Sequence, residues 1–219
     1  MLLELSEILA CPACGPPQVM VAVVERSDGR WVSDGVLACP ACDSRFPIDS
    51  GWVHLYQAPA ADSGDRDVPF TGAASDEAPL LVSALMGLER GTGHLLFGPG
   101  LSGVAEAVAH LAERWSVISV VAGEPPQESA PALANLSRLV VDPRVSLPLQ
   151  PGRLSAAALD AGATERSMAE AARLLRPGGR LVVLAPGEGA EASLKAASLE
   201  VVASDQRAVL ARRPLHQRP

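Results

Sequence analysis

The chain has 219 residues, 48 % of them hydrophobic and 20 % charged, which excludes a disordered chain and allows one or two domains with a real core. A formal charge of −7 argues against a protein that coats nucleic acid, and 3 % aromatic residues leave the core to Leu, Val and Ala. No apolar run approaches the roughly 20 residues that span a bilayer, and MLLELSEILA carries Glu4 and Glu7 where a secretory signal carries basic residues, so the cytoplasm is the expected compartment.

The charge is unevenly spread. Residues 1–57 hold seven acids against three arginines, net −4, and residues 58–79 hold five acids against one arginine, again net −4. Residues 80–219 hold thirteen acids and fourteen basic groups. This predicts three parts: a small unit over 1–57, a linker over 58–77 rich in Ala, Asp, Ser, Gly and Pro, and a larger unit over 78–213.

In the first part the four cysteines form two Cys-Pro-Ala-Cys pairs, Cys11 with Cys14 and Cys39 with Cys42. Two residues between cysteines let a tight turn aim both sulfurs at one ion, and Pro12 and Pro40 pre-set the turn. Two such pairs suit a tetrahedral zinc site with four thiolates. Two disulfides would need an oxidising compartment. A redox Cys-x-x-Cys occurs singly at a strand-to-helix junction. Four protein thiolates leave the metal no open position, so the expected role is structural. Between the pairs, VMVAVVE and RWVSDGVLAC read as two strands around a turn at Ser27–Arg30, giving a zinc ribbon. His54, flanked by Val53 and Leu55, reads as a structural side chain.

Leu5, Ile8, Leu9, Ala10, Cys11, Pro12 and Cys14, followed by Leu37, Cys39, Cys42, Phe46, Pro47, Ile48, Gly51 and Leu55, carry a family resemblance. Residues 1–56 resemble the Trm-type zinc-ribbon activator subunits of tRNA methyltransferases. The resemblance implies a protein partner, a methyltransferase among the candidates, joined by strand pairing and an apolar patch. Phe46, Ile48, Trp52 and Leu55 are then either plain core or, in part, a docking surface.

From residue 78 helix and strand patterns alternate, which predicts a doubly wound α/β sheet. APLLVSALMGLERG reads as a helix ending at Gly91, HLLFGPG as a strand running into glycines, and LSGVAEAVAHLAERW as an amphipathic helix. SVISVVAG is a buried strand, ESAPALANLS a helix, RLVVDP a strand and GRLSAAALD a weaker strand. ATERSMAEAARLLRPGG is a helix closed by Pro-Gly-Gly, then RLVVLAP a strand and GAEASLKAASL a helix. LEVVASDQ and RAVLARRP form a terminal antiparallel hairpin. Arg173 and Arg176 are expected to pair with the carbonyl end of their helix.

Leu147–Leu149 with AEAARLLRPGGRLVVLAP, and the order of elements, resemble class I S-adenosylmethionine-dependent methyltransferases. The resemblance implies a Rossmann-like sheet of methyltransferase type with the cofactor at Gly98, Gly100, Gly103, Glu124 and Asp142. Glycines after the first strand let a backbone approach a nucleotide. The chain departs from the pattern at several points. Leu96 stands two residues before the first loop glycine, where an acid is usual. Gly103 comes one residue late. Val121, Ala122 and Gly123 fill the end of the second strand, with Glu124 just beyond, and Ser155 stands where the fourth strand commonly has an acid. Asp160 sits near the crevice edge or caps the next helix. No catalytic residue is assigned.

Fold pattern kept and polar contacts thinned together favour a zinc-binding, methyltransferase-like protein whose cofactor site is reduced or lost, acting as an interaction or regulatory partner. The alternative is an active S-adenosylmethionine-dependent methyltransferase of unassigned substrate. A third reading is an unrelated nucleotide-binding α/β protein, or a module that only docks a partner through Phe46, Ile48 and Trp52. No basic and aromatic stripe indicates nucleic acid.

Overall fold

The computed structural model describes residues 1–56, 77–123, 133–142 and 146–215. The expected linker over 58–77 lies outside the described residues except for Glu77. A short 3-10 helix, Leu3–Glu7, precedes four strands: β1 (Val21–Asp28), β2 (Trp31–Ala38), β3 (Arg45–Asp49) and β4 (Trp52–His54). The larger part runs α1 (Ala78–Met86), β5 (Gly93–Phe97), α2 (Ser102–Leu111), β6 (Trp115–Ala122), β7 (Leu136–Val141), β8 (Leu154–Leu159), α3 (Glu165–Leu174), β9 (Leu175–Leu184), α4 (Ala190–Ala196), β10 (Glu200–Ser204) and β11 (Ala208–Arg212).

Local chemistry explains most element ends. Asp28 pairs with Trp31 across the two-residue turn Gly29–Arg30, where Gly29 has φ 57°. α1 stops at Gly87, in the left-handed region, whose N–H reaches the carbonyls of Ser83 and Ala84. The helix therefore ends at the first available glycine rather than at Gly91. α3 opens on a capping box between Thr164 and Ser167. It closes at Leu174, before the Pro-Gly-Gly.

One expected helix is corrected. Leu136 and Ser137, read as the end of a helix from Glu128, open β7 instead, and residues 124–132 lie outside the described residues. Every residue of β7 and of β8 is buried, the mark of strands covered on both faces. β8, the weaker strand from sequence, is therefore central.

The described strands form one sheet of eleven, in the order β1-β2-β3-β4-β7-β6-β5-β8-β9-β11-β10. From β7 to β9 all neighbours are parallel, and β11 inserts antiparallel between β9 and β10. The small part is not a bead on a string. β4 pairs in parallel with β7, Trp52 opposite Arg138 and Val53 opposite Leu139. The Leu55 N–H donates to the Val140 carbonyl at 2.9 Å. Leu9 pairs antiparallel with Leu149, the Ala10 N–H reaches Pro148 O at 2.9 Å, and the Gln150 N–H reaches Ile8 O at 2.8 Å.

The two parts also share a core. Leu5, Leu9, Val53 and Leu55 pack in the same apolar cluster as Ile118, Leu139 and Leu149, on the face covered by α3 and α4. The opposite face is a second cluster built on Phe97, Val104, Val108, Trp115 and Val182 under α1 and α2. Trp52 and Leu55 thus do both jobs weighed from sequence: they are core, and they dock one part on the other.

Candidate metal centre and ligand crevice

The two cysteine pairs fold into matching turns. In the first, the Gly15 N–H closes on Cys11 O at 2.8 Å; in the second, the Asp43 N–H closes on Cys39 O at 3.0 Å. Both closing residues are left-handed, Gly15 at φ 72° and Asp43 at φ 57°, and Asp tolerates that region better than most side chains. The second turn is the connection between β2 and β3, so the cluster clamps the centre of the ribbon.

All four Sγ atoms lie within 4.8 Å of one another. Cys11 and Cys42 are 3.7 Å apart, and Cys14 and Cys39 are 3.9 Å apart. A tetrahedron with Zn–S bonds of about 2.3 Å has edges of about 3.8 Å, so the spacing fits. Cys11 and Cys39 are buried; Cys14 and Cys42 face solvent. Hydrogen bonds from the Ser44 hydroxyl and backbone pull Cys42 down to about 6. Its thiolate, ahead of burial and the other two sulfurs, pushes Cys14 up to about 12. Burial raises Cys11. Ionising Cys14 beside the Cys42 thiolate is opposed, an electrostatic demand that a divalent cation satisfies.

In the larger part, strand order reverses at β5, which has β6 on one side and β8 on the other. A doubly wound sheet binds ligands outside the carboxyl ends of its strands at such a switch point. The loop Gly98–Leu101 and the start of α2 lie there. The Gly98 N–H donates to Ala158 O at 2.9 Å, and a Cβ on Gly98 would stand 2.9 Å from Leu159 Cδ2. Gly100 is exposed with φ 88°. Gly103 falls in the first turn of α2 with open space where a Cβ would be. Conformation favours glycine at the second position; a Cβ at the first crowds only the tip of the Leu159 side chain, and at the third it meets open space.

The acidic candidates are scattered. Glu124 lies outside the described residues. Asp142, just past β7, is half-buried and engaged. Asp160, just past β8, accepts the Gly162 N–H at 3.0 Å and closes its own loop, while Thr164 caps α3. Burial raises the Asp160 carboxyl. Leu96 is fully buried in the core shared with the ribbon. Two cavities, of about 250 and 100 Å³, lie elsewhere, one between α3 and α4 and the other between α1 and the β10–β11 hairpin. Both fall short of the roughly 300 Å³ at which small-molecule sites begin.

Arg173 differs from expectation. Arg213 donates to the carbonyls of Ala172, Arg173 and Leu175 at the end of α3, while Arg173 reaches Leu147 O and Leu149 O and pairs with Glu170. The sequence reading passed over Arg138, a charged residue inside the apolar run Leu136–Val141. That interruption was the available signal. Arg138 is buried, pairs with Glu106 of α2 at 2.9 Å, and lies over the Trp52 ring, 5.6 Å from its centroid.

Comparison with known proteins finds two likenesses. Residues 3–51 match the family described as Trm112p-like protein. Downstream of this Trm112p-like domain the fold is methyltransferase-like. A structure of the complex between the Haloferax volcanii Trm112 methyltransferase activator and a methyltransferase matches 65 % of this chain and 92 % of its own, at 15 % identity and TM-score 0.51. A Burkholderia thailandensis 1,6-didemethyltoxoflavin-N1-methyltransferase matches at 18 % identity and TM-score 0.49, over 87 % of this chain and 98 % of its own. A Thermotoga maritima S-adenosylmethionine-dependent O-methyltransferase matches at 12 % identity and TM-score 0.47, over 66 % and 67 %. No curated protein matches. Among the described residues no helix is long and apolar enough to cross a membrane.

Proposed function

We propose that residues 1–57 are a zinc ribbon acting within its own chain on the methyltransferase-like unit 78–213, and that the S-adenosylmethionine site of that unit is reduced. Cys11, Cys14, Cys39 and Cys42 would hold one zinc ion in a closed shell, which supplies folding energy and no catalysis. The cytoplasm suits such a site because thiols stay reduced there. The Haloferax activator is found in complex with a methyltransferase. Here the parallel β4–β7 seam supports the larger unit as the ribbon's partner in the same polypeptide. The protein then works as an interaction or regulatory partner rather than as a transferase.

The observation that carries the reduced site is the apolar ending of the central strands. Leu96 and Phe97 are buried, Leu159 crowds Gly98, and β6 ends in Val121–Ala122. β5 and β6 end without a carboxylate among the described residues, while Asp160 past β8 is taken up by its own loop and Asp142 past β7 is already engaged. Calorimetric titration of the zinc-loaded protein with S-adenosylmethionine and S-adenosylhomocysteine tests the reading. The expected result is no heat of binding at micromolar to millimolar ligand. Micromolar binding that Gly100→Arg abolishes would overturn it in favour of an active methyltransferase built on Gly98, Gly100, Gly103, Glu124 and Asp142.

A further inference from the structure

We propose that Arg138 is a positioning residue that couples the metal-bound ribbon to helix α2 and the glycine loop at its start. This inference rests on the zinc reading of the ribbon. The physical route is continuous. The second cysteine turn joins β2 to β3, and β3 turns into β4 with Asp49 opposite Trp52. The turn itself is locked: the Gly51 N–H donates to Ser33 O at 2.7 Å, and a Cβ at Gly51 would strike the Trp31 ring at 2.3 Å. Trp52 is thereby fixed opposite Arg138, with the guanidinium over its ring.

Arg138 passes the constraint on. Its side chain is only 7 % exposed, and its Nη2 donates to Glu106 Oε1 at 2.9 Å. Glu106 lies one turn into α2, whose first residue, Ser102, follows the Gly98–Leu101 loop. A second contact runs parallel to the first. Ser119 of β6 is the register neighbour of Arg138, and its Oγ lies 3.4 Å from Ser102 Oγ. The guanidinium is the link because a planar, permanently charged group can stack on the indole and donate to the carboxylate at the same time. A Leu at 138 would fill the space and sever both contacts.

Amide hydrogen exchange on the full-length, zinc-loaded protein tests the coupling, with zinc content measured on the same samples. In the unmodified protein, chelation with EDTA should raise exchange across Ser102–Leu111 about tenfold, because helix opening then no longer has to break the strut. In Arg138→Met, α2 should exchange at that raised rate with zinc still bound, and chelation should add little. Glu106→Ala, a change at a part-exposed position that removes the acceptor, should give the same pattern if Arg138→Met fails to fold. Protection of α2 that ignores both chelation and the substitutions, with zinc bound at the start, would overturn the proposal. A protein that never holds zinc would instead overturn the zinc reading beneath it.

Discussion

Leu9→Ala tests whether ribbon and α/β unit are one cooperative structure. Leu9 is fully buried, pairs with Leu149 across the seam, and sits in the cluster that holds Val53, Ile118 and Leu139. Both flanking backbones are tied, at Ala10 to Pro148 and at Gln150 to Ile8, so the site cannot collapse freely around the lost atoms. A Leu-to-Ala change at such a position costs about 3 kcal/mol, within the usual 2–5 kcal/mol. For a chain of this size each kcal/mol moves the melting temperature by about 2–4 °C, so a drop of roughly 6–12 °C is expected. The assay uses two probes that report different parts. Far-UV circular dichroism at the helical minimum follows α1–α4, which all lie in the larger unit. Tryptophan fluorescence is dominated by the ribbon, which holds Trp31 and Trp52 against the single Trp115. One cooperative unit gives coincident transitions that shift together. A fluorescence transition that falls alone, leaving the helical signal at its original temperature, would refute the shared-core argument.

The crevice glycines should separate by sign. Gly100→Ala forces a β-carbon into φ 88° and should cost about 1–2 kcal/mol, whereas Gly103→Ala, in the first turn of α2 with open space beside it, should gain roughly 0.5 kcal/mol in urea unfolding. His94 should lend the protein a pH response. Burial lowers its pKa and Arg153 adds to that, while Glu7 and Glu4 oppose it, and its Nδ1 is buried with no hydrogen-bond partner among the described residues. The unfolded chain therefore binds a proton that the folded one refuses, and stability falls as pH drops below about 6.5. His94→Leu should show a melting-temperature difference from the unmodified protein that grows in its favour between pH 8 and pH 5.5. A difference that is flat across that range would refute the assignment.

What the sequence displayed was local. The spacing of Cys11, Cys14, Cys39 and Cys42 is a chemical statement about one ion, and the structure brings the four sulfurs within 4.8 Å. The alternation from Ala78 onward has the right period for helices and strands, and most of them are found where expected. The seam was not legible because it is a pairing of edges. Nothing in the run Trp52–His54 states that its neighbour is Leu136–Val141, more than 80 residues on. Periodicity tells which face of a strand is buried, not which strand lies beside it. The glycine loop was legible as a turn but not as a site, since the same residues serve close packing against Leu159 and a left-handed φ at Gly100. Asp160 was ambiguous for a similar reason: a short carboxylate after a strand can cap a helix, hold a ligand or close its own loop, and here it does the last.

The seam also explains why the two parts come as one chain. A ribbon of fewer than 60 residues has a small core of its own, and the seam enlarges it beyond what the metal alone supplies. The α/β unit has the complementary problem. Without the ribbon, β7 would be an edge strand whose residues are mostly Leu and Val, an exposed template for aggregation. Pairing β4 with β7 removes both liabilities in one step. The polar residues of β7 argue further. The Ser137 Oγ accepts the Leu2 N–H at 2.9 Å, and Arg138 is held between Trp52 of the ribbon and Glu106 of α2. Buried here, both side chains would be costly without partners, and the ribbon provides one for each. Their presence at this position makes sense when the ribbon is part of the surface they were fitted to. The α/β unit is thus composed as a docked half, and the ribbon supplies the rest of its sheet.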